Sequence, residues 1–325
     1  MTLNRRQFLG GAAALGLAQW TPAWAAQEKW PTRPVTIVVP YPPGGSSDII
    51  ARLVSQHLSA AIGQTVVVEN KPGANGNLGA ALVSQSAKEG HTLLLCDVGA
   101  LAISPSVYTK LTFDPSKDLG AVSMLAYSPH VLAVHPSTQA NTLGELIELS
   151  KKQTVNLAVP AVGSAPHLAA VAVQEATGAK WEYVPYKGGA QALTDAVGGQ
   201  VHAILNGLLA TLPHIRNGKL RAIAISKRER MDAVKDIPTI SEQGVPGFES
   251  GTWQGVMAPA SMPKETADRL AGQLAEIIRR PEIAKQLSEQ GAEIVTQKPD
   301  EMMKFFNTER ARWAEVVKRA DVRLD

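Results

Sequence analysis

Residues 34–52, PVTIVVPYPPGGSSDIIAR, pass from an apolar β-branched run through a proline-glycine turn onto a helix start. That order confines the chain to folds in which a covered strand feeds a helix. Val35 to Val39 is short and β-branched, the pattern of a parallel strand buried on both faces. Pro42 and Pro43 fix φ and remove two backbone donors, while Gly44 and Gly45 open conformations closed to other residues and let a ligand approach the backbone. Ser46, Ser47 or Asp48 is placed to cap a helix whose apolar positions Ile49, Ile50, Leu53, Val54 and Leu58 recur at helical spacing. Unpaired N–H groups then face the crevice beyond the strand's carboxyl end, where a negative group is favoured. An anionic ligand is one reading of this turn, and a tight strand-to-helix connection without a ligand is the other.

Residues 1–25 read as an export address. Asn4-Arg5-Arg6-Gln7-Phe8-Leu9 has the twin-arginine pattern, followed by an alanine- and glycine-rich segment at 10–18 and a small-residue site at Ala23-Trp24-Ala25. The segment is shorter than the roughly 20 apolar residues a bilayer span needs. Cleavage between Ala25 and Ala26 leaves a periplasmic chain; an amphipathic N-terminal helix of the folded domain is the alternative, and it fits the paired arginines poorly. Cys96 is the single cysteine and lies well beyond that point, so the chain has no internal disulfide and no lipidated cysteine at the mature start.

Loss of Arg5 and Arg6 takes the formal charge from +3 to +1. With no basic run and no aromatic-interleaved basic stripe, nothing points to a nucleic-acid partner. The remaining length accommodates two domains of ordinary size. Strands are expected at 35–39, 65–69, 91–96, 122–127, 131–135, 156–159, 181–184, 201–205 and 220–225. Helices are expected near 49–61, 78–87, 143–151, 168–177, 190–197, 264–279, 281–290 and 300–318. The strand at 156–159 opens onto Ala161-Val162-Gly163-Ser164-Ala165-Pro166, a second glycine-bearing strand-to-helix turn about 120 residues after the first. Two such turns predict an α/β protein with two domains facing one cleft.

Several segments in the right order make a more specific match. Trp30-Pro31-Thr32-Arg33-Pro34-Val35 precedes Pro40 to Asp48, and Val68-Glu69-Asn70-Lys71-Pro72-Gly73-Ala74 precedes Gly76-Asn77; later come Val184-Pro185-Tyr186-Lys187-Gly188, Gly198-Gly199-Gln200-Val201, Gly218 to Ala222, and Ile237 to Glu242. On these the chain resembles the Bug family, the periplasmic solute receptors of the tripartite tricarboxylate transporter group. The resemblance implies an α/β two-domain clamshell like a type II periplasmic binding protein, with the ligand cleft between lobes. It places lobe 1 at 26–128 plus 252–325 and lobe 2 at 129–251, with crossings near 127–131 and 248–253. It also implies capture of a small organic acid and docking on a small and a large membrane permease subunit. In that family the carboxylate is held by the turns of both lobes, largely through backbone groups and bridging water. Carried over, the first turn is Tyr41, Pro43, Gly44, Gly45, Ser46, Ser47 and Asp48, and the second is Gly163, Ser164 and Ala165, with His167 one step into its helix. Asn77 and Tyr186 are expected on the pocket wall. Ser46, Ser47 and Ser164 are the best side-chain donors, with helix capping as their alternative role.

Two positions depart from the family pattern. Asp97 stands where relatives tend to carry a small or hydroxyl residue, and Asn206 where many carry an aspartate; both are expected to overlook the cleft. An aspartate beside a ligand carboxylate is repulsive unless the ligand offers a cation or donor. Asp97 then either selects such a group or caps a turn before Gly99. No nucleophile elbow, metalloprotease helix, P-loop or dinucleotide fingerprint occurs, and the seven histidines form no metal-binding spacing. The expectation is a receptor and not an enzyme, without metal or redox cofactor, and monomeric. Transport and signalling to a membrane sensor remain alternatives at this level, with an enzyme on the same scaffold a more remote one, and dicarboxylates, tricarboxylates, aromatic acids and amino acids are all open as ligand.

Overall fold

The buried run Val35–Val39 forms strand β1, and helix α1 (Ser46–Ile62) follows it across the proline-glycine turn. The computed structural model describes residues 30–320 and 323–324, so the expected export leader lies outside the described residues. Strands β2 (Val66–Asn70) and β3 (Thr92–Asp97) flank β1, both parallel to it, with helix α2 (Asn77–Ser84) between them in sequence. Helix α3 (Val98–Val107) then leaves β3 without a connecting loop.

Strand β4 (Leu119–Val134) is the spine of the sheet. Sequence pattern predicts two strands here, at 122–127 and 131–135, because Ser128-Pro129 reads as a break. A single strand of 16 residues forms instead. Up to Pro129 it pairs antiparallel with β9 (Gly251–Pro259), and from His130 onward with β7 (Ala203–Gly207). Pro129 has no N–H to donate, and it sits where one partner strand is exchanged for another, so the ladder loses little there.

Beyond β4 come helix α4 (Leu143–Lys152), strand β5 (Val155–Val159), helix α5 (Ala165–Thr177), strand β6 (Trp181–Pro185) and helix α6 (Gly189–Val197), then β7, helix α7 (Leu208–Arg216) and strand β8 (Arg221–Ile225). β5 lies between β6 and β7, parallel to both. After β9 the chain forms helices α8 (Lys264–Ile278) and α9 (Pro281–Glu289), strand β10 (Glu293–Gln297) and helix α10 (Pro299–Ala320). The strand order is β2-β1-β3-β9-β4-β7-β5-β6, with β8 and β10 also pairing with β4.

Four elements escape the sequence pattern, for identifiable reasons. α3 reads VGALAISPSV, apolar on nearly every face and carrying Pro105, so it shows no amphipathic period. α7 begins directly at the end of β7 and carries Pro213. β9 and β10 acquire their extended form from pairing with β4, a long-range partner.

Each half of the sheet has its own core. Val38, Leu94, Met124, Met257 and Phe306 pack in the first half, and Leu157, Trp181, Leu205 and Ile223 in the second. α10 lies along α3 and β4, which returns the end of the chain to the first half. At the partner exchange, Ser226 Oγ donates to the His130 carbonyl at 3.0 Å and accepts from the His130 N–H at 2.8 Å. His130 Nδ1 meets Ser250 Oγ at 2.8 Å. Burial pushes the His130 imidazole down to about 3, so the ring is neutral at physiological pH.

Phe306 is fully buried between α10 and the first half of the sheet. Phe306→Ala is expected to cost about 3–5 kcal/mol through lost transfer energy and a cavity. Urea denaturation followed by circular dichroism measures it, and a loss below about 1 kcal/mol would contradict the packing described.

Candidate functional site

Five helices begin at one cavity, each at the carboxyl end of the strand before it. The cavity, of about 70 Å³, is lined from the first half by Tyr41, Pro42, Gly45, Ser46, Ser47, Asn75, Asp97, Ala100, Thr252 and Gln254. The second half contributes Pro160, Ser164, Pro166, Gly189, Asn206 and Gly207. These residues place the first turns of α1, α3, α5, α6 and α7 on the wall.

The five starts are of two kinds. α3 and α5 are capped by their own side chains: Asp97 accepts from the Gly99 N–H at 3.0 Å, and Ser164 Oγ accepts from the His167 N–H at 3.3 Å. α1, α6 and α7 start on Gly45, Gly188 and Gly207, with no side-chain cap. The first-turn N–H groups of a helix have no intrahelical partner, so these three ends present donors and a positive field to the cavity. Close approach explains the small residues: a Cβ at Gly207 would lie 2.8 Å from Ser46 Oγ, and one at Gly189 would lie 2.5 Å from Asn206 Oδ1.

Gln254 supplies a further donor. It is fully buried, its Oε1 accepts from Ser47 Oγ at 2.8 Å, and its Nε2 has no partner. Thr252, two residues earlier on the same face of β9, lines the cavity and touches His130 Nε2 at 3.3 Å through its hydroxyl. Neither residue is among those singled out from the sequence. The available signal was two polar side chains at period 2 in the otherwise apolar GTWQGVMAP.

Of the residues expected at the cleft, Tyr41, Gly45, Ser46, Ser47, Asp97, Ser164 and Asn206 line the cavity. The others lie around it. Pro43 and Gly44 are exposed, and Asp48 is buried in a separate network. Its carboxylate accepts from the Gly44 N–H at 2.9 Å, Arg52 Nε at 3.0 Å and Asn70 Nδ2 at 2.9 Å. Gly163 has its N–H turned to His167 Nδ1 at 3.1 Å, and the His167 ring packs edge-on against Tyr183. Ala165 belongs to an apolar cluster with Ile103, Val107 and Trp313. Tyr186 donates its hydroxyl to Asp195 at 2.8 Å, pointing its polarity at α6. Asn77 is buried at the start of α2, and both polar atoms of its amide lack partners.

Asp97 is both a cap and a cavity residue. Its Oδ1 accepts from the Gly99 N–H and, at 3.1 Å, from the Trp253 N–H, while the residue is only 6% exposed. Burial pushes its carboxyl up to about 7, against the lowering effect of those backbone donors. Asn206 donates through Nδ2 to Thr211 Oγ1 at 3.3 Å. Cys96, next to Asp97, is buried and its thiol is held well above the usual range by burial, as expected of an inert core cysteine.

Residues 50–322 match the family model described as "Tripartite tricarboxylate transporter family receptor". The chain is 36% identical to the protein BugT of Bordetella pertussis over 300 residues, which is 91% of this chain and 92% of that one. It superposes with a TM-score of 0.87 on a Rhodopseudomonas palustris protein solved with adipate, at 34% identity over 90% of this chain and 98% of the other. It superposes with a TM-score of 0.84 on MatC from Rhodopseudomonas palustris with bound malate, at 30% identity over 89% of this chain and all of that one. Both the sequence match and the two-lobe fold lead to the same assignment: the chain belongs to the tripartite tricarboxylate transporter receptor family, whose members are periplasmic solute-binding proteins.

Proposed function

We propose that this receptor captures a small organic carboxylate in the cavity between its two lobes and presents it to a membrane permease with a small and a large subunit. The carrying observation is that three uncapped helix starts and the unpartnered Gln254 amide converge on one cavity. An ionised carboxylate has about four acceptor sites and no donor, which matches that wall. The adipate and malate held by the two Rhodopseudomonas proteins are of this class. In this reading Ser46, Ser47, Gln254 and the backbone at Gly45, Gly189 and Gly207 bind the acid, directly or through water.

The lobe limits proposed are 26–128 plus 252–325 and 129–251. Support comes from the partner exchange in β4 at Pro129 and His130, and from contacts that span the cleft. Among these, Asn75 Nδ2 donates to the Gly163 carbonyl at 3.4 Å, and Val107 packs with Ala165 and Leu168. In this reading closure of the lobes brings these groups together, and opening exposes the small apolar cluster they form. Export by the twin-arginine route, cleavage near Ala25-Ala26, action as a monomer and a binding role without catalysis complete the reading.

A thermal-shift screen of the protein from Ala26 onward against adipate, malate, citrate, benzoate and amino acids tests the assignment. An acid at 100 times its Kd should add about 2.7 kcal/mol of stability. No shift with any acid, using folded protein free of carried-over ligand, would overturn it. Gln254→Glu keeps an acceptor for Ser47 but replaces the free donor with a carboxylate oxygen. Calorimetric affinity for the acid found in the screen should fall about tenfold or more.

Asp97 also sets a pH signature. Its folded carboxyl titrates near 7 and its ordinary value is 3.8, so the fold binds this proton more tightly than the unfolded chain. The stability this provides is complete below the unfolded value, falls as pH rises, and is gone once pH passes the folded value. Asp97→Asn retains the acceptor for Gly99 and Trp253 and removes the titration. The ligand-free variant should therefore gain melting temperature relative to wild type as pH goes from about 5 to about 8. Parallel melting curves for the two proteins would exclude the raised carboxyl.

A further inference from the structure

Among the described residues, Asp97 is the one acidic side chain lining the cavity. The rest of the polar wall is neutral or presents donors: the glycine-led starts of α1, α6 and α7, the serine hydroxyls, the Asn206 and Gln254 amides. Asp97 is also fixed in direction. It ends β3 and caps α3, and two backbone N–H groups hold Oδ1. Pinned between a strand and a helix, the carboxylate cannot swing away from a ligand.

A carboxylate ligand entering this cavity satisfies the helix starts and at the same time meets a second carboxyl group, which is negative above pH about 7, where the titrations below are made. An unsubstituted acid brings no donor to that group. An acid with an ammonium or hydroxyl next to its carboxylate turns the repulsive contact into a charge-assisted hydrogen bond. We infer that Asp97 makes the cavity selective for carboxylic acids that carry a hydrogen-bond donor, an ammonium or a hydroxyl, over the same acids without one. The inference rests on the carboxylate reading of the cavity and names the class of acid within it. The raised carboxyl is consistent with this role, since an ammonium on the ligand supplies a counter-charge beside it.

Isothermal titration of wild type and Asp97→Asn with matched acids tests the inference: succinate against malate and aspartate, glutarate against glutamate, adipate against 2-aminoadipate. In wild type the donor-bearing member of a pair should bind about tenfold or more tighter than its parent. In Asp97→Asn that ratio should shrink to about threefold or less, through weaker binding of the substituted acid and tighter binding of the parent. Asparagine retains the acceptor that caps α3, so the variant is expected to fold, and the wild-type ratio is decisive by itself. A parent acid that binds wild type as tightly as its substituted partner overturns the inference, as does a ratio unchanged by Asp97→Asn; in both cases the carboxylate reading stands. Failure of every acid to bind either protein removes the carboxylate reading and the inference with it.

Discussion

Backbone N–H groups in the first turn of a helix have no partner inside that helix, and five helices of this chain begin at the same cavity. Much of the architecture serves that convergence. Strands β1, β3, β5, β6 and β7 each deliver a helix start at their carboxyl ends, and glycine stands at three of those starts; at Gly188 and Gly207 a side chain would collide with Pro42 and Ser46 across the cavity. The remaining two starts are closed by Asp97 and Ser164, so the wall combines open donors with fixed acceptors. Helix starts favour negative charge through the backbone alone, which leaves the neighbouring side chains free for other contacts.

The second constraint is that the two halves of the sheet share one strand while each packs a main core of its own, with a small apolar cluster of Ile103, Val107, Ala165, Leu168 and Trp313 between them. β4 runs through both, paired with β9 on one side of the partner exchange and with β7 on the other. A neutral, buried His130 holds the exchange together through Ser250, Ser226 and Thr252. Thr252 also lines the cavity, so one hydroxyl belongs to both the exchange region and the wall.

Particular residues show what was legible in the sequence. The β-branched run Val35–Val39 and the turn after it read as a strand leading to a helix because the signals are local: two prolines, two glycines and helical spacing follow one another within a few residues. The same holds for β5, Gly163 and α5. Ser46, Ser47 and Ser164 could be picked out by type, although Ser164 spends its hydroxyl on a cap and on the Ala161 carbonyl. Asp48 has the composition of a mouth residue, yet Arg52 and Asn70 claim it. Thr252 and Gln254 went unnoticed because β9 reaches the cavity by pairing with β3 and β4, strands far away in the chain.

By itself the sequence determined the α/β alternation, the two glycine-bearing turns and the family, because these depend on short-range backbone chemistry and on ordered motifs. Tertiary structure alone decided that β4 is continuous through Pro129, that Gln254 presents an unpartnered donor, and that Asp97 is at once a helix cap and the acidic group of the cavity wall. Those properties arise from long-range pairing and burial, which set a side chain's partners and its charge in ways that its neighbours in sequence do not encode.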